Sequence, residues 1–238
     1  MKNVGVIAEK EITSYLATPM AYVVTAIFLG LSGTFFATYL LGTDYSDTSL
    51  RGFLGAGQIL ILLFAVLLTM RLIAEEKKLG TWELLLTAPI TEAELVLGKF
   101  FASLAVLSGM LVLTFYYPLL LRVFGDPDWG PIVTGYLGLF LLGGACLAVG
   151  IFASTLSANQ IVAAVAAGGL LFGLWFLGIA GDAVPGGLGA LLAYLSLSSH
   201  FPDFMRGIVD TKAVLYYLSV TALFLYMAIR SIEMARWR

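Results

Sequence analysis

Residues 75–91 read EEKKLGTWELLLTAPIT. Four consecutive charges, Glu75, Glu76, Lys77 and Lys78, run into Leu84-Leu85-Leu86 and then into a turn at Pro89. Gly80 permits a change of direction, because glycine accepts backbone angles that other residues avoid. Residues 81–86 have the make-up of a short helix. Trp82, Leu85 and Leu86 supply its apolar side, Leu84 extends the run and Glu83 carries a charge. At 1.5 Å per residue such a helix is only ~9 Å long, far short of a ~30 Å hydrocarbon core. Thr87-Ala88-Pro89-Ile90 turns back, and Thr91 with Glu94 makes T-x-x-E, the capping box that opens a new helix. The stretch predicts a short helix held between two longer ones.

The surroundings are apolar. Of 238 residues, 60% are hydrophobic and 12% charged, with mean hydropathy +0.97. Soluble domains run nearer half apolar and a quarter charged, so an integral membrane protein is the reading. A net charge of −2 gives no reason to expect a nucleic-acid partner. The single cysteine, Cys146, has no internal disulfide partner and lies in a Gly/Ala run, which suits a packed thiol. The amino terminus mixes Lys2, Glu9, Lys10 and Glu11 ahead of a long apolar run, unlike a cleaved signal peptide.

Six apolar segments reach or approach a spanning length: 20–41, 53–73, 95–121, 132–155, 161–179 and 213–229. None alternates like a membrane β-strand. The expected fold is an all-α membrane protein, one transmembrane domain over residues 1–238, because a helix satisfies its own backbone in lipid. Six spans put both termini on one side. That side carries nine Lys and Arg (Lys2, Lys10, Arg71, Lys77, Lys78, Lys99, Arg230, Arg236 and Arg238) against four on the other (Arg51, Arg122, Arg206 and Lys212). The positive-inside rule therefore predicts cytoplasmic termini and a cytoplasmic segment 75–91.

Residues 1–19 repeat Val4, Ile7, Ala8, Ile12, Tyr15 and Leu16 at helical spacing. Lys2, Asn3, Glu9, Lys10, Glu11, Thr13 and Ser14 fill the other face. The pattern predicts an amphipathic helix along the membrane surface, ended by Pro19; a frayed polar tail is the bland alternative. Pro118 should kink the outer third of the third span. Small residues crowd spans four and five, including a G-x-x-x-G at Gly169 and Gly173, which serves packing within one subunit or a seam between two. Residues 182–212 hold an apolar run with Leu191, Leu192, Tyr194, Leu195 and Leu197. Pro185-Gly186-Gly187 precedes it and Ser198-Ser199-His200-Phe201-Pro202 follows, so the run is too short to span. A helical hairpin re-entering from the extracytoplasmic side is expected, built from Leu192, Leu195, His200, Phe201, Phe204 and Arg206. A seventh span is the rival.

Catalytic constellations are missing. His200 is the single histidine, and a metal site needs several ligands. Gly98-Lys99 is followed by Phe100, so there is no G-x-x-x-x-G-K-[ST] to hold ATP. The middles of the spans carry no Asp, Glu, Lys or Arg, which argues against an ion-coupled transporter. What remains is a protein that moves apolar or amphipathic cargo, or that transmits force, with energy supplied from elsewhere.

Glu75-Glu76-Lys77, Gly80-Thr81-Trp82-Glu83-Leu84-Leu85, Thr87-Ala88-Pro89-Ile90 and Glu94-Leu95-Val96-Leu97-Gly98-Lys99 resemble the cytoplasmic signature of type-2 ABC exporter permeases. His200-Phe201, Phe204, Arg206-Gly207, Asp210-Thr211 and the ending Glu233-Met234-Ala235-Arg236-Trp237-Arg238 resemble its gliding-motility-associated subgroup. The likeness spans nearly the whole chain. It implies that the short helix is a coupling helix seated on a separate ATP-binding subunit. Glu75, Glu76, Gly80, Thr81, Trp82, Glu83, Leu84, Leu85, Thr87 and Pro89 would be the partner-binding residues. It also implies a second copy of the permease, no cofactor in this chain, and ATP with Mg on the partner. An ordinary loop is the alternative reading of 75–91. Nitrous-oxide-reductase maturation permeases are similar too, which keeps a mechanical role open: motion passed to an extracytoplasmic accessory protein with nothing crossing. A membrane enzyme or scaffold is the third reading, and it lacks catalytic groups. An open cavity at the seam between copies separates transport from force transmission.

Overall fold

In a computed structural model the chain is described over residues 2–42, 50–81 and 90–236. Helices dominate, and there is no strand among the described residues. In chain order they are α1 (Lys2–Ala17), α2 (Pro19–Gly42), α3 (Arg51–Thr69), α4 (Ala74–Leu79), α5 (Glu92–Leu113), α6 (Tyr116–Phe124), α7 (Trp129–Thr155), α8 (Gln160–Ala183), α9 (Gly187–Leu195), α10 (Pro202–Met205) and α11 (Thr211–Arg236). Six are long and apolar enough, singly or with the short helix that continues them, to cross a membrane: α2, α3 with α4, α5 with α6, α7, α8 and α11.

The boundaries follow local chemistry. Pro19 opens α2, where its fixed φ suits a first helical position and its missing N–H is not needed. Thr91 Oγ1 accepts from Glu94 N at 3.2 Å, and Glu94 Oε2 accepts from Thr91 N at 3.3 Å, so the expected capping box opens α5. Asp128 and Asn159 cap α7 and α8 by accepting from Gly130 N and Ile161 N.

The third span is two helices with a break at Thr114 and Phe115. Pro118 causes it: it brings no N–H to the carbonyl four residues back, that of Thr114. The freed carbonyl is answered by Tyr117 N at 3.0 Å and by the Tyr136 hydroxyl of α7, also at 3.0 Å. An apolar groove of about 720 Å³ lies beside the break, walled by Leu111, Phe115, Tyr116, Leu119 and Phe140.

At the centre stands α7, with α3, α5, α8 and α11 packed on it. Lipid is as apolar as leucine, so close approach rather than hydrophobic burial holds such helices together. Glycine makes the approach. A Cβ on Gly150 would lie 2.0 Å from Thr69 Oγ1, one on Gly135 2.4 Å from Leu54, and one on Gly143 2.4 Å from Leu107. These small residues of the fourth span serve packing within one subunit. Gly168, Gly169 and Gly173 of α8 meet nothing within 4 Å. Cys146 is fully buried in α7, a packed thiol.

The two classes of glycine should behave differently. Gly150→Ala inserts a methyl where Thr69 stands and should cost about 1–3 kcal/mol of stability. Gly169→Ala should be neutral or slightly stabilising, since alanine is the better helix former by about 1 kcal/mol. Thermal unfolding of the purified variants in detergent checks both; equal loss at the two sites contradicts the close approach of α7 to Thr69.

Candidate functional site

The chain leaves α3 at Thr69, turns through Met70 to Ile73, and re-enters helix at Ala74. The start of a helix carries backbone N–H groups with no partner of their own. Ser154 of α7 supplies one: its Oγ accepts from Ile73 N at 3.2 Å and from Ala74 N at 3.1 Å. Lys77 Nζ reaches the neighbouring carbonyl of Thr155. The central helix therefore fixes where α4 begins and how it points. Gly80 ends α4 with φ 74°, the left-handed conformation that favours glycine. Thr81 Oγ1 bonds back to Glu76 O at 3.3 Å.

Beside α4 lies a buried cation. Lys99, two turns into α5, is 1% exposed, and it is the one buried charged side chain among the described residues. Its ammonium donates to Glu76 Oε1 of α4 at 2.7 Å and to Glu11 Oε1 of α1 at 3.0 Å. Lys10, on the exposed rim, stands 3.9 Å from the same Glu11 oxygen. Two carboxylates therefore face Lys99, with Lys10 offsetting the second. Glu76 Oε2 is buried and finds no hydrogen-bond partner among the described residues. Removing one member of such a buried set typically costs about 3–5 kcal/mol, because the remaining charge is stranded.

Helix α1 lies along the start of α5. A Cβ on Gly98 would fall 2.6 Å from Ile7, so the glycine is the seat for this isoleucine. Asn3 Nδ2 donates to Glu94 Oε2 at 3.1 Å, and the Tyr15 hydroxyl donates to the carbonyl of Leu68. Burial pushes the Tyr15 hydroxyl up from its ordinary value, which keeps it a neutral donor. The packed face reads Asn3, Val4, Ile7, Ala8, Glu11, Ile12 and Tyr15, whereas Leu16 is exposed. Helical spacing puts Leu16 on the apolar face and both Asn3 and Glu11 on the polar one. Their partners on α5 reverse that. Between α1, the turn after α3 and α4 is a cavity of about 560 Å³ lined by Lys10, Glu11, Tyr15, Arg71, Glu75 and Glu76, among others. Arg71 donates to the thioether of Met20 at its edge.

Between α8 and α11 the chain makes a helix, a turn and a second short helix. Its turn lies well inside the bundle. Ser196 Oγ donates to Trp175 O at 3.1 Å, and Leu197 N to Leu174 O. Trp175 stands eight residues before the end of α8, about 12 Å along the axis. Tyr216 and Tyr217 of α11 donate to Leu195 O and Leu197 O at 2.6 and 2.8 Å. Thr134 of α7 donates to Phe204 O at 2.6 Å, and Gly138 has Phe201 and Phe204 against it. His200 stacks flat on Tyr216, ring centres 3.9 Å apart, and its Nδ1 donates to Ser196 O at 3.0 Å.

The sequence-derived candidates divide accordingly. Glu75 and Glu76 line the cavity, Gly80 caps α4, and Thr81 is exposed. Trp82, Glu83, Leu84, Leu85, Thr87 and Pro89 lie outside the described residues. In the hairpin, Phe201 and Phe204 are core residues, Leu192 is half-buried, and Leu195 and Arg206 are exposed. The sequence pattern does not single out Lys99, Glu11 or Ser154 as site residues. A lysine just inside an otherwise uncharged span is the available signal for the first. No group of His, Cys, Asp and Glu fit to hold a metal ion occurs among the described residues.

No curated protein matches this chain. The pattern of the family described as ABC-2 family transporter protein matches residues 5–232, from within α1 almost to the end of α11. The chain therefore belongs to the ABC-2 transporter family, as a multi-pass membrane permease subunit of an ABC transporter.

Proposed function

We propose that this permease is driven by a separate ATP-binding subunit docked on residues 75–91, and that it exports an apolar or amphipathic substrate. The observation that carries the reading is the mounting of that segment. It leaves α4, whose start is capped by Ser154 of the central helix and whose Glu76 is tied to Lys99 of α5. It returns through the Thr91 capping box into α5. A push on the segment reaches the centre of the bundle along two helices at once. An ordinary loop needs neither mounting. ATP and Mg would sit on the partner, since this sequence has no P-loop. Two permease copies would form the pathway, and the apolar groove beside α6 suits a greasy cargo. The likeness of the carboxyl-terminal residues favours the gliding-motility-associated subgroup.

The membrane frame is part of the same reading. The Lys and Arg bias supports cytoplasmic termini, and the likeness to type-2 ABC exporter permeases favours the inner membrane of a prokaryote. In that frame α1 is an interfacial helix, and α9 with α10 forms a re-entrant extracytoplasmic hairpin. Hydrogen bonds to Trp175, eight residues before the end of α8, and to Thr134, five residues into α7, support re-entry. Backbone that does not span is tolerated at such depth where it packs on protein.

Glu83→Lys and Leu85→Asp should abolish co-purification of the ATP-binding subunit while leaving the permease at its normal level in the membrane. Loss of one central contact of an interface commonly costs about 2 kcal/mol or more. Unchanged ATPase binding in both variants means another element does the docking. Ser199→Cys, on a Cys146→Ser background, should react with an impermeant thiol reagent from the extracytoplasmic side. Reaction from the cytoplasmic side alone rules out the hairpin.

A further inference from the structure

We propose that Lys99 is a positioning residue of the coupling machinery: its ammonium ties α1 to α4, so that the amino-terminal helix moves with the segment on which the ATP-binding subunit acts. The inference rests on the reading of residues 75–91 as the docking segment. Its evidence is the geometry of one buried charge. Lys99 joins carboxylates from elements 88 and 23 residues away in sequence, at 3.0 and 2.7 Å. Across the cavity of about 560 Å³, side chains of α1 face side chains of the α3–α4 turn and of α4. Van der Waals contact carries a displacement poorly across a gap, because an opening of ~0.5–1 Å already forfeits a quarter to a half of the attraction. An ammonium held at hydrogen-bond distance by both sides carries it better. Three further fastenings of α1 among the described residues go to other elements: Asn3 holds Glu94 of α5, Ile7 sits on Gly98 of α5, and Tyr15 holds Leu68 of α3.

The choice of residues also argues for position over stability. A buried ion pair can often be replaced by apolar side chains of similar size without loss of stability. Stability alone therefore does not call for a lysine at this position. What the ammonium provides is directionality: two acceptors, fixed in distance, that set the register of α1 against α4. Glu11, Glu76, Lys10, Glu75, Arg71 and Tyr15 are the charged and titratable groups around it.

The experiment uses the permease co-expressed with its ATP-binding subunit and reconstituted in liposomes. Lys99→Met should leave co-purification of that subunit intact yet lower the ATP turnover of the complex about tenfold, inside the ~5–150-fold range usual for coupling between sites. Lys99→Arg, which keeps charge and donors, should restore most of it. A triple variant with Lys99→Met, Glu11→Gln and Glu76→Gln removes the stranded charges. It should regain the unfolding temperature of the native chain and remain uncoupled. Spin labels at Val6→Cys and Leu79→Cys, both exposed, on a Cys146→Ser background read the tie directly. Their distance should hold when ATP is added to the otherwise native complex and spread in Lys99→Met. Native turnover in Lys99→Met, or recovery of turnover with stability in the triple variant, overturns the proposal while leaving the docking segment in place. Failure of the native chain to bind any ATP-binding subunit overturns both.

Discussion

A lysine ammonium with 1% exposure sits where the amino-terminal helix, the second span and the third span meet. Lipid and packed protein both disfavour an isolated charge, by several kcal/mol after every relaxation is allowed. Lys99 therefore cannot be buried until Glu11 and Glu76 arrive. That requirement fixes three elements at once. It orients α1 so that Glu11 faces α5 rather than water. It holds α4 against the bundle one turn before Gly80 releases the chain. It sets the level at which α5 begins, because Thr91 and Glu94 cap that helix two turns earlier and Glu94 also takes Asn3. Two members of the charge cluster at residues 75–78 have partners inside the bundle. Of its four charges, Glu76 is half of an internal ion pair and Lys77 reaches a carbonyl of the central helix.

The rest of the bundle obeys a different constraint. Between apolar helices in lipid there is little hydrophobic gain, so packing distance decides association. The central helix meets that with glycines where α3 and α5 cross it: Gly135 under Leu54, Gly143 under Leu107, Gly150 under Thr69. Serine and threonine then tie the close crossings together. Ser154 caps α4, Thr155 meets Ser231 of α11 at 2.9 Å, and Ser32 of α2 meets the Tyr117 hydroxyl at 2.8 Å. Each hydroxyl answers a backbone group or another hydroxyl that lipid would leave unpaired.

Much of this is legible in the residues. Six apolar runs mark the helices, T-x-x-E marks the start of α5, and Pro118 predicts a break that falls at the carbonyl it deprives of a donor. The limits are equally physical. Helical periodicity says which residues share a face, but not what that face meets. Periodicity therefore puts Glu11 and Leu16 on the wrong sides of α1, since Lys99 lies 88 residues from its partner. Glycine carries no side chain to mark its neighbour, so Gly150 and Gly169 read alike although one is filled by Thr69 and the other meets nothing. Ser154 looks like one more small residue, because the N–H groups it caps belong to a turn defined only in three dimensions. Whether residues 82–89 form the expected coupling helix lies outside the described residues.

The two ends of the bundle are held by different kinds of interaction, and this difference bears on where motion is permitted. The hairpin turn is locked by Trp175, Thr134, Tyr216 and Tyr217, donors and acceptors from three separate helices, with Phe201 and Phe204 buried beneath it. To move it, four hydrogen bonds to three helices must break together, the one from Tyr217 fully buried. At the other end α4 is held to the central helix by Ser154 and Lys77 and α1 to α5 by Asn3 and Ile7, but α1 and α4 meet each other across a cavity, through one cation. Local opening costs least where apolar contacts are few and polar groups have solvent nearby to receive them. Displacement should therefore begin at α4 and α1 and pass inward along α3 and α5, with the break at Thr114 as the point where the third span bends. In the proposed coupling the α4 end is the input, and the hairpin end would follow as a rigid block.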